Sequence, residues 1–409
     1  MGNRPLEGIR VVEMATFIAA PCTARFLADL GAEVIKVEPP MGDPLRYTAV
    51  NEGRPLDQKE NTSYDLENAG KTCISLNTKS EEGREALEKL LATADVFICN
   101  WRQSPLKRAG LDWETLHEKY PKLVYGYVSG YGEKGPDKDL PGFDFTAFYA
   151  RGGILGPLRD KNSLPMLTVQ GFGDHQVAMN LAAGVLAALF KAKMTGEGDH
   201  VVVSLFHSAI WDISLMLQAS QYGADSTQYP MERWKLGNPL VLCYETADGQ
   251  WLQIAMPQYD RHYPILMNAM GYPELADDAR YYPQKNLIPN REEFSAWITA
   301  EFKKKTCDEW CKLLDANDLP YAIAQEWDSL LEDKQAWASD CFYEMSYSNG
   351  NKRTLVRPPV LFDQMGLPPY ERGPYLGEQT KDILGELGYS AEAIDELIKS
   401  GAAIDMDPA

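Results

Sequence analysis

The stretch IRVVEMATFIAAPCTARFLADLGAEVIKVE, residues 9–38, decides the fold class. It opens on a short β-branched run, which predicts a strand over 9–14. Residues 22–30 have helical apolar spacing, and Gly31 is the stop signal. A second β-branched run at 34–38 predicts another strand. Strand, helix and strand in so short a span imply a right-handed crossover between parallel strands. Working outward, further strands are predicted at 73–76, 96–99, 123–128 and 201–205. Helices are predicted at 80–94 and 112–120, the first with Ser80 as cap and Glu81 and Glu82 in its opening turn, where the helix dipole favours acids. The expectation is an α/β protein with a Rossmann-like large domain, its mostly parallel sheet covered on both faces. Residues 39–72 are polar and rich in turn formers, so they are expected to run over the surface as one long connection.

The longest apolar run, 177–190, is interrupted by Asn180 and Gly184. It is shorter than the roughly 20 residues a bilayer requires, so it reads as part of a helix over 174–193 buried in protein. Another helix is predicted over 208–222. Beyond 224 the pattern changes. Asp248-Gly249 between two apolar runs signals a hairpin, as does Asn349-Gly350 further on. Helical stretches lie at 260–270, 291–304 and 307–316. After 362 the chain is Pro-rich, then helical from Thr380. The division expected is a large domain over 1–224, a smaller α+β domain over 225–330, and a C-terminal segment over 331–409.

The net charge of −19 argues against nucleic acid, and a polyanionic ligand would need basic residues placed locally. The seven cysteines are scattered with no CxxC pair, so buried free thiols are expected rather than a disulfide framework or a metal site. Residues 1–8 carry no signal-peptide core, and a cytoplasmic protein without membrane attachment is expected.

No GxxxxGK followed by Ser or Thr is present, so a Walker-type phosphate loop is excluded. Gly171-Phe172-Gly173 begins a dinucleotide fingerprint, but the sixth position is Gln176. HExxH and GxSxG are absent, and no two of the five histidines stand four apart. What is left is Gly171-Phe172-Gly173-Asp174-His175-Gln176 at the head of the apolar helix. Its glycines permit close backbone approach. Asp174 there is either a helix-capping residue or a carboxylate nucleophile, which must face a carbonyl without being locked in a salt bridge. Asn100-Trp101-Arg102 ends a strand, with Arg108 shortly after. An aromatic and two guanidinium groups at that place suit adenine and phosphates, or else are a packed Trp with solvated arginines. Phe143, Phe145, Phe148 and Tyr149 form an aromatic cluster that lines an apolar pocket or builds core.

Taken in order, residues 6–13 (LEGIRVVE), 32–38 (AEVIKVE), 130–136 (GYGEKGP), Gly173-Asp174 and Leu376-Gly377-Glu378 resemble the class III CoA-transferase family over nearly the whole chain. Residues 17–21, 42–48, 64–68 and 139–144 resemble its branch acting on (R)-2-hydroxy acids, the phenyllactate and 2-hydroxyisocaproate enzymes. The resemblance implies an interlocked-ring homodimer and transfer of CoA from an acyl-CoA to a small 2-hydroxy carboxylic acid, with no tightly bound cofactor. It places the nucleophile on Asp174. It places CoA contacts on Ile18, Ala19, Leu76, Asn77, Lys79, Asn100, Trp101, Arg102 and Arg108. Substrate and oxyanion contacts fall on Phe143, Asp144, Gly171, Gly173 and His175, with backbone N–H groups of 171–175 facing the oxyanion. Two departures stand out. A glycine-run lid found in the family is reduced to Gly237. A basic residue often placed after the second strand is Pro39, leaving Lys36 or Arg46 for phosphate. Two other readings stay open: a 2-methylacyl-CoA racemase, whose second base is a histidine where this chain has Phe143, and a non-catalytic CoA-binding regulatory subunit.

Overall fold

The structure is a computed structural model and describes residues 4–223, 229–368 and 370–405. The chain forms two compact units, one of Met1–Ile154, Leu167–Ser214 and Lys334–Ala409, the other of Leu155–Met166 and Leu215–Asp333. The boundary expected at 224/225 lies outside the described residues.

In the first unit, β1 (Arg10–Met14), β2 (Glu33–Glu38), β3 (Thr72–Leu76), β4 (Val96–Cys99), β5 (Val124–Ser129) and β6 (His200–Ser204) form a parallel sheet in the order 3-2-1-4-5-6. A C-terminal strand, Ala403–Ile404, adds a seventh, antiparallel member beside β3. All six strands read from the β-branched runs are present, and the sheet is mostly parallel as expected. The helices of this unit include α1 (Ala19–Asp29), α2 (Thr62–Asn68), α3 (Glu81–Leu91), α4 (Gln103–Ala109), α5 (Trp113–Lys119) and α6 (Phe172–Thr195). Ala86, Leu87, Leu90 and Leu91 of α3 pack with Ile383 and Leu384 near the C-terminus against Val12, Ile35, Ile74 and Phe97 of the strands. The helices α1 and α6 are joined where Thr23 Oγ1 donates to the Ala178 carbonyl at 3.2 Å.

Residues 39–72 are not a surface connection. They contain a 3-10 segment (Pro44–Glu52) and α2, and they bury Asp43, Arg46, Tyr64, Asp65, Glu67 and Asn68. These polar groups are tolerated inside because each finds hydrogen-bond or ion-pair partners, most of them on other elements. Arg46 forks onto Glu38 at 2.9 and 2.7 Å, and the Tyr64 hydroxyl donates to Glu38 Oε1 at 2.6 Å.

The second unit holds the hairpin expected at Asp248-Gly249, Cys243–Glu245 against Trp251–Ile254, extended by a third strand, Tyr321–Ile323. Helices Tyr259–Met270, Arg291–Phe302 and Cys307–Ala316 lie at the predicted places. Tyr244 stacks on Phe302 at 4.6 Å within its core. The Asn349-Gly350 hairpin is also present, joining Phe342–Ser346 to Lys352–Val356 in the first unit.

Candidate active site

Strand order reverses between β1 and β4, and in such sheets ligands bind beyond the carboxyl ends of the strands at that point. A cleft of ≈ 250 Å³ opens there. Residues 16–19 after β1, Asn100, Arg102 and Gln103 after β4, and 127–130 at the end of β5 form one side. Residues 138–144, with Asp174 and Leu205, complete it.

The turn after β1 is held from two directions. Asn100 Nδ2 donates to the Thr16 carbonyl at 2.8 Å, and its Oδ1 accepts from the Thr16 amide at 3.1 Å. The Phe17 amide donates to Asp43 Oδ1 at 3.1 Å. Phe17 itself has φ 63°, left-handed and unusual for a residue with a side chain. Asp43 is fixed in turn by Lys36, whose Nζ lies 3.0 Å from Asp43 Oδ2, 2.7 Å from Glu13 Oε1 and 3.0 Å from the Ala15 carbonyl. Lys71 reaches the other Glu13 oxygen at 2.6 Å. Burial opposes the charge on Lys36, but Glu13 and Asp43 hold its pKa above the ordinary value, whereas burial wins at Lys71 and lowers it to about 8.

This overturns the expectation that Lys36 or Arg46 serves a phosphate. The Lys36 side chain is wholly buried and its donors face Glu13, Asp43 and a carbonyl, while Arg46 is committed to Glu38, Tyr64 and the Pro374 carbonyl. Both belong to the scaffold.

Asp174 occupies the first turn of α6. The helix starts two residues earlier than read from sequence, with Gly171 as its cap at φ 80°, a left-handed conformation suited to glycine. Gly173 is required by proximity. A Cβ there would lie 2.3 Å from Phe148 Cγ and 2.4 Å from Asp144 Oδ1. Its amide donates to Asp144 Oδ1 at 3.1 Å, which ties the head of α6 to the π-helical turn Asp144–Ala150. Among the described residues, Asp144 Oδ2 is buried without a hydrogen-bond partner.

Three carboxylates crowd this region. Burial, then Asp144 and Glu67, push the Asp174 carboxyl up to about 7, with His175 pulling the other way. Burial raises Asp144 to about 6 against the amides of Gly171 and Gly173. His175 Nε2 sits 2.9 Å from Glu67 Oε1. Burial works against its charge, yet the Glu67 bond and the surrounding carboxylates raise its pKa. Cys22 Sγ, the Glu67 carboxylate and the His175 ring lie within 4.8 Å of one another. The seven cysteines are free.

The cleft therefore brings together Ile18, Ala19, Asn100, Arg102, Phe143, Asp144 and Asp174. Other expected residues stand elsewhere. Leu76 is buried in β3, Trp101 packs on the core beneath the sheet, and Lys79 is exposed. The Asn77 amide donates to the Ala402 carbonyl at 2.8 Å. Arg108, 2.6 Å from Ser104 Oγ, lines a separate cavity of ≈ 370 Å³ with Arg84, Lys107 and Lys119. The amides of Gly173 and His175 are not free for an oxyanion, since Asp144 Oδ1 and the Gly171 carbonyl take them. Of the aromatic cluster, Phe143 lines the cleft, while Phe148 and Tyr149 are core. Sequence reading missed Phe17, Gln103 and Lys138 in the cleft and Glu67 behind it. Only Lys138 carried a signal, a cation just past the 130–136 motif.

The sequence is 52% identical to cinnamoyl-CoA:phenyllactate CoA-transferase of Clostridium sporogenes, over 96% of each chain. It is 41% identical to (R)-2-hydroxy-4-methylpentanoate CoA-transferase of Clostridioides difficile, over 95% of this chain and 97% of that one. Its structure resembles a CaiB/BaiF family protein from Brucella suis with a TM-score of 0.80 and 28% identity, covering 94% of this chain and 100% of that one. With residues 6–380 matching the family pattern, the chain belongs to CoA-transferase family III.

Proposed function

We propose that the protein moves CoA from an acyl-CoA to a 2-hydroxy carboxylic acid with an aryl or branched side chain, through a thioester on Asp174. The observation that carries this reading is Asp174 itself: at the cleft, in the first turn of α6, with no hydrogen bond or ion pair to its carboxylate among the described residues. Such a group is open to attack a carbonyl, and burial with the neighbouring carboxylates pushes its carboxyl up to about 7. The substrate class rests on the two relatives, one named for phenyllactate and one for 2-hydroxy-4-methylpentanoate.

In the reaction a carboxylate oxygen of Asp174 bonds to the acyl carbon and the carbon–sulfur bond breaks, its electron pair leaving on the CoA thiolate. The thiolate then adds to the aspartyl carbon, and the anhydride carbon–oxygen bond breaks to release the first acid as a carboxylate. The acceptor carboxylate repeats the first step on the aspartyl thioester. The thiolate repeats the second on the acceptor's carbonyl and frees Asp174. No proton and no ATP are consumed. Arg102 and Lys138, exposed residues that line the cleft, supply positive charge for the phosphates of CoA. Asp144 fixes the head of α6 through the Gly173 amide. Phe143 stands where the resembling racemases carry a histidine base, which favours transfer over racemisation.

The working form in this reading is a homodimer in the cytoplasm. Phe190, Met194 and Trp211, each at least 70% exposed, are apolar area suited to a second copy. The test is to incubate the protein with cinnamoyl-CoA, trap with hydroxylamine and map the modified residue by mass spectrometry. Labelling confined to Asp174, and lost in Asp174→Ala with transfer falling by about 10³-fold or more, is the expected result. Absence of label, together with α-hydrogen exchange of a chiral 2-methylacyl-CoA in deuterium oxide without an acceptor acid, would instead establish the racemase reading.

A further inference from the structure

Phe17 is difficult to account for by folding alone. Its φ of 63° belongs to the region that glycine enters freely, and a bulky side chain there costs about 1 kcal/mol or more. The conformation is imposed from both sides, by the Asn100 clamp on Thr16 and by Asp43 on the Phe17 amide. Nor does the ring repay that strain by filling the core: Phe17 is 37% exposed. Its ring meets Phe143 edge-on, centroids 6.2 Å apart at 88°, and Phe143 is 56% exposed. Both rings line the same cleft as Asp174, with Ile18 and Leu140 beside them. Two rings crossed at a right angle leave a corner with one aromatic face and one aromatic edge, an arrangement that receives a third ring or a branched alkyl group well.

We propose that Phe17, with Phe143, is the specificity-determining element of this enzyme: the pair forms the corner that receives the aryl or branched side chain of the acid, and the strained turn exists to present it. This rests on the transferase reading of Asp174 and adds the part of the cleft that selects among acids. The strain is localised where the substrate needs shape, and the cost is carried by the buried Lys36–Asp43 pair behind it. A small acid such as lactate has nothing to place in the corner and gains nothing from it.

The test uses the full-length protein with cinnamoyl-CoA as donor and 3-phenyllactate, 2-hydroxy-4-methylpentanoate and lactate as acceptors. Phe17→Ala and Phe143→Ala are each expected to lower the kcat/KM ratio of phenyllactate over lactate by about tenfold or more. Phe17→Gly relieves the backbone strain, so its Tm should equal or exceed that of Phe17→Ala while the ratio falls as far. A ratio within about twofold of wild type in both Phe17 variants, with kcat/KM falling alike for all acids, would overturn the proposal. So would loss of the ratio only in a variant that has also lost Tm. Failure of the transferase reading is distinguishable, because wild type would then label no Asp174 and serve no acceptor.

Discussion

Replacing Lys36 by Met separates a scaffold role from a ligand role. The lysine is wholly buried, with Nζ 2.7 Å from Glu13 Oε1 and 3.0 Å from Asp43 Oδ2. Met keeps most of the volume but leaves Asp43 with no cation and Glu13 with Lys71 alone. Removing one member of a buried ion network leaves uncompensated charge, which costs about 3–5 kcal/mol. At roughly 2–4 °C per kcal/mol, the Tm should fall by about 6–20 °C. The pH dependence has a definite sign. The folded pKa of Lys36 is raised above 10.5, so its contribution is fully present below pH 10.5 and is lost only above that. The contribution of Lys36 itself is therefore the same at pH 6 and pH 9, while Lys71, lowered to about 8 in part by Lys36, titrates between them and should widen the gap between wild type and Lys36→Met at pH 9. Thermal melting by circular dichroism at both values, with KM for cinnamoyl-CoA measured well below the melting range, completes the assay. An unchanged Tm with KM raised about tenfold, the loss of about 1.4 kcal/mol of ligand contact, would refute the reasoning and return Lys36 to phosphate binding.

Gly173→Ala places a methyl 2.3 Å from Phe148 Cγ and 2.4 Å from Asp144 Oδ1; overpacking of this kind costs about 1–3 kcal/mol, read as a lower Tm, and displacing the head of α6 should cut kcat/KM by about 100-fold. The acid limb of the kcat/KM profile should lie near pH 7, set by Asp174. Since Asp144 raises that carboxyl and His175 lowers it, Asp144→Asn should move the limb to lower pH and His175→Gln to higher pH; shifts in the same direction would contradict the charge arrangement.

Much of the sheet was legible because strand propensity and helix period are local. Val11, Val12, Val34 and Ile35 announce buried strands wherever they sit, and Asp248-Gly249 and Asn349-Gly350 announce their turns. The region 39–72 was misread because its polar residues are buried against partners far off in sequence. Arg46 pairs with Glu38 but also with the Pro374 carbonyl, 328 positions away, and no local pattern carries that. The same applies at the site. Gly-Asp at 173–174 was conspicuous, whereas the Asp144–Gly173 bond and the Glu67–His175 pair, 29 and 108 positions apart, exist only once the chain has folded. Phe17 looked like one more apolar residue because a left-handed φ leaves no mark in composition.

The short strand Ala403–Ile404 has a bearing on how the molecule is made. It covers the outer side of β3 at Leu76 and Ser75, and Gln379 and Thr380 take the neighbouring amides of Cys73 and Ser75. The Ser75–Thr380 bond spans 305 positions. A ribosome delivers β3 long before the segment that seals it, so the nascent sheet carries an open row of donors and acceptors while the intervening unit is synthesised. An open row of that kind recruits other strands. The growing chain thus passes through a sticky interval that ends only when residues 379–404 arrive to seal β3.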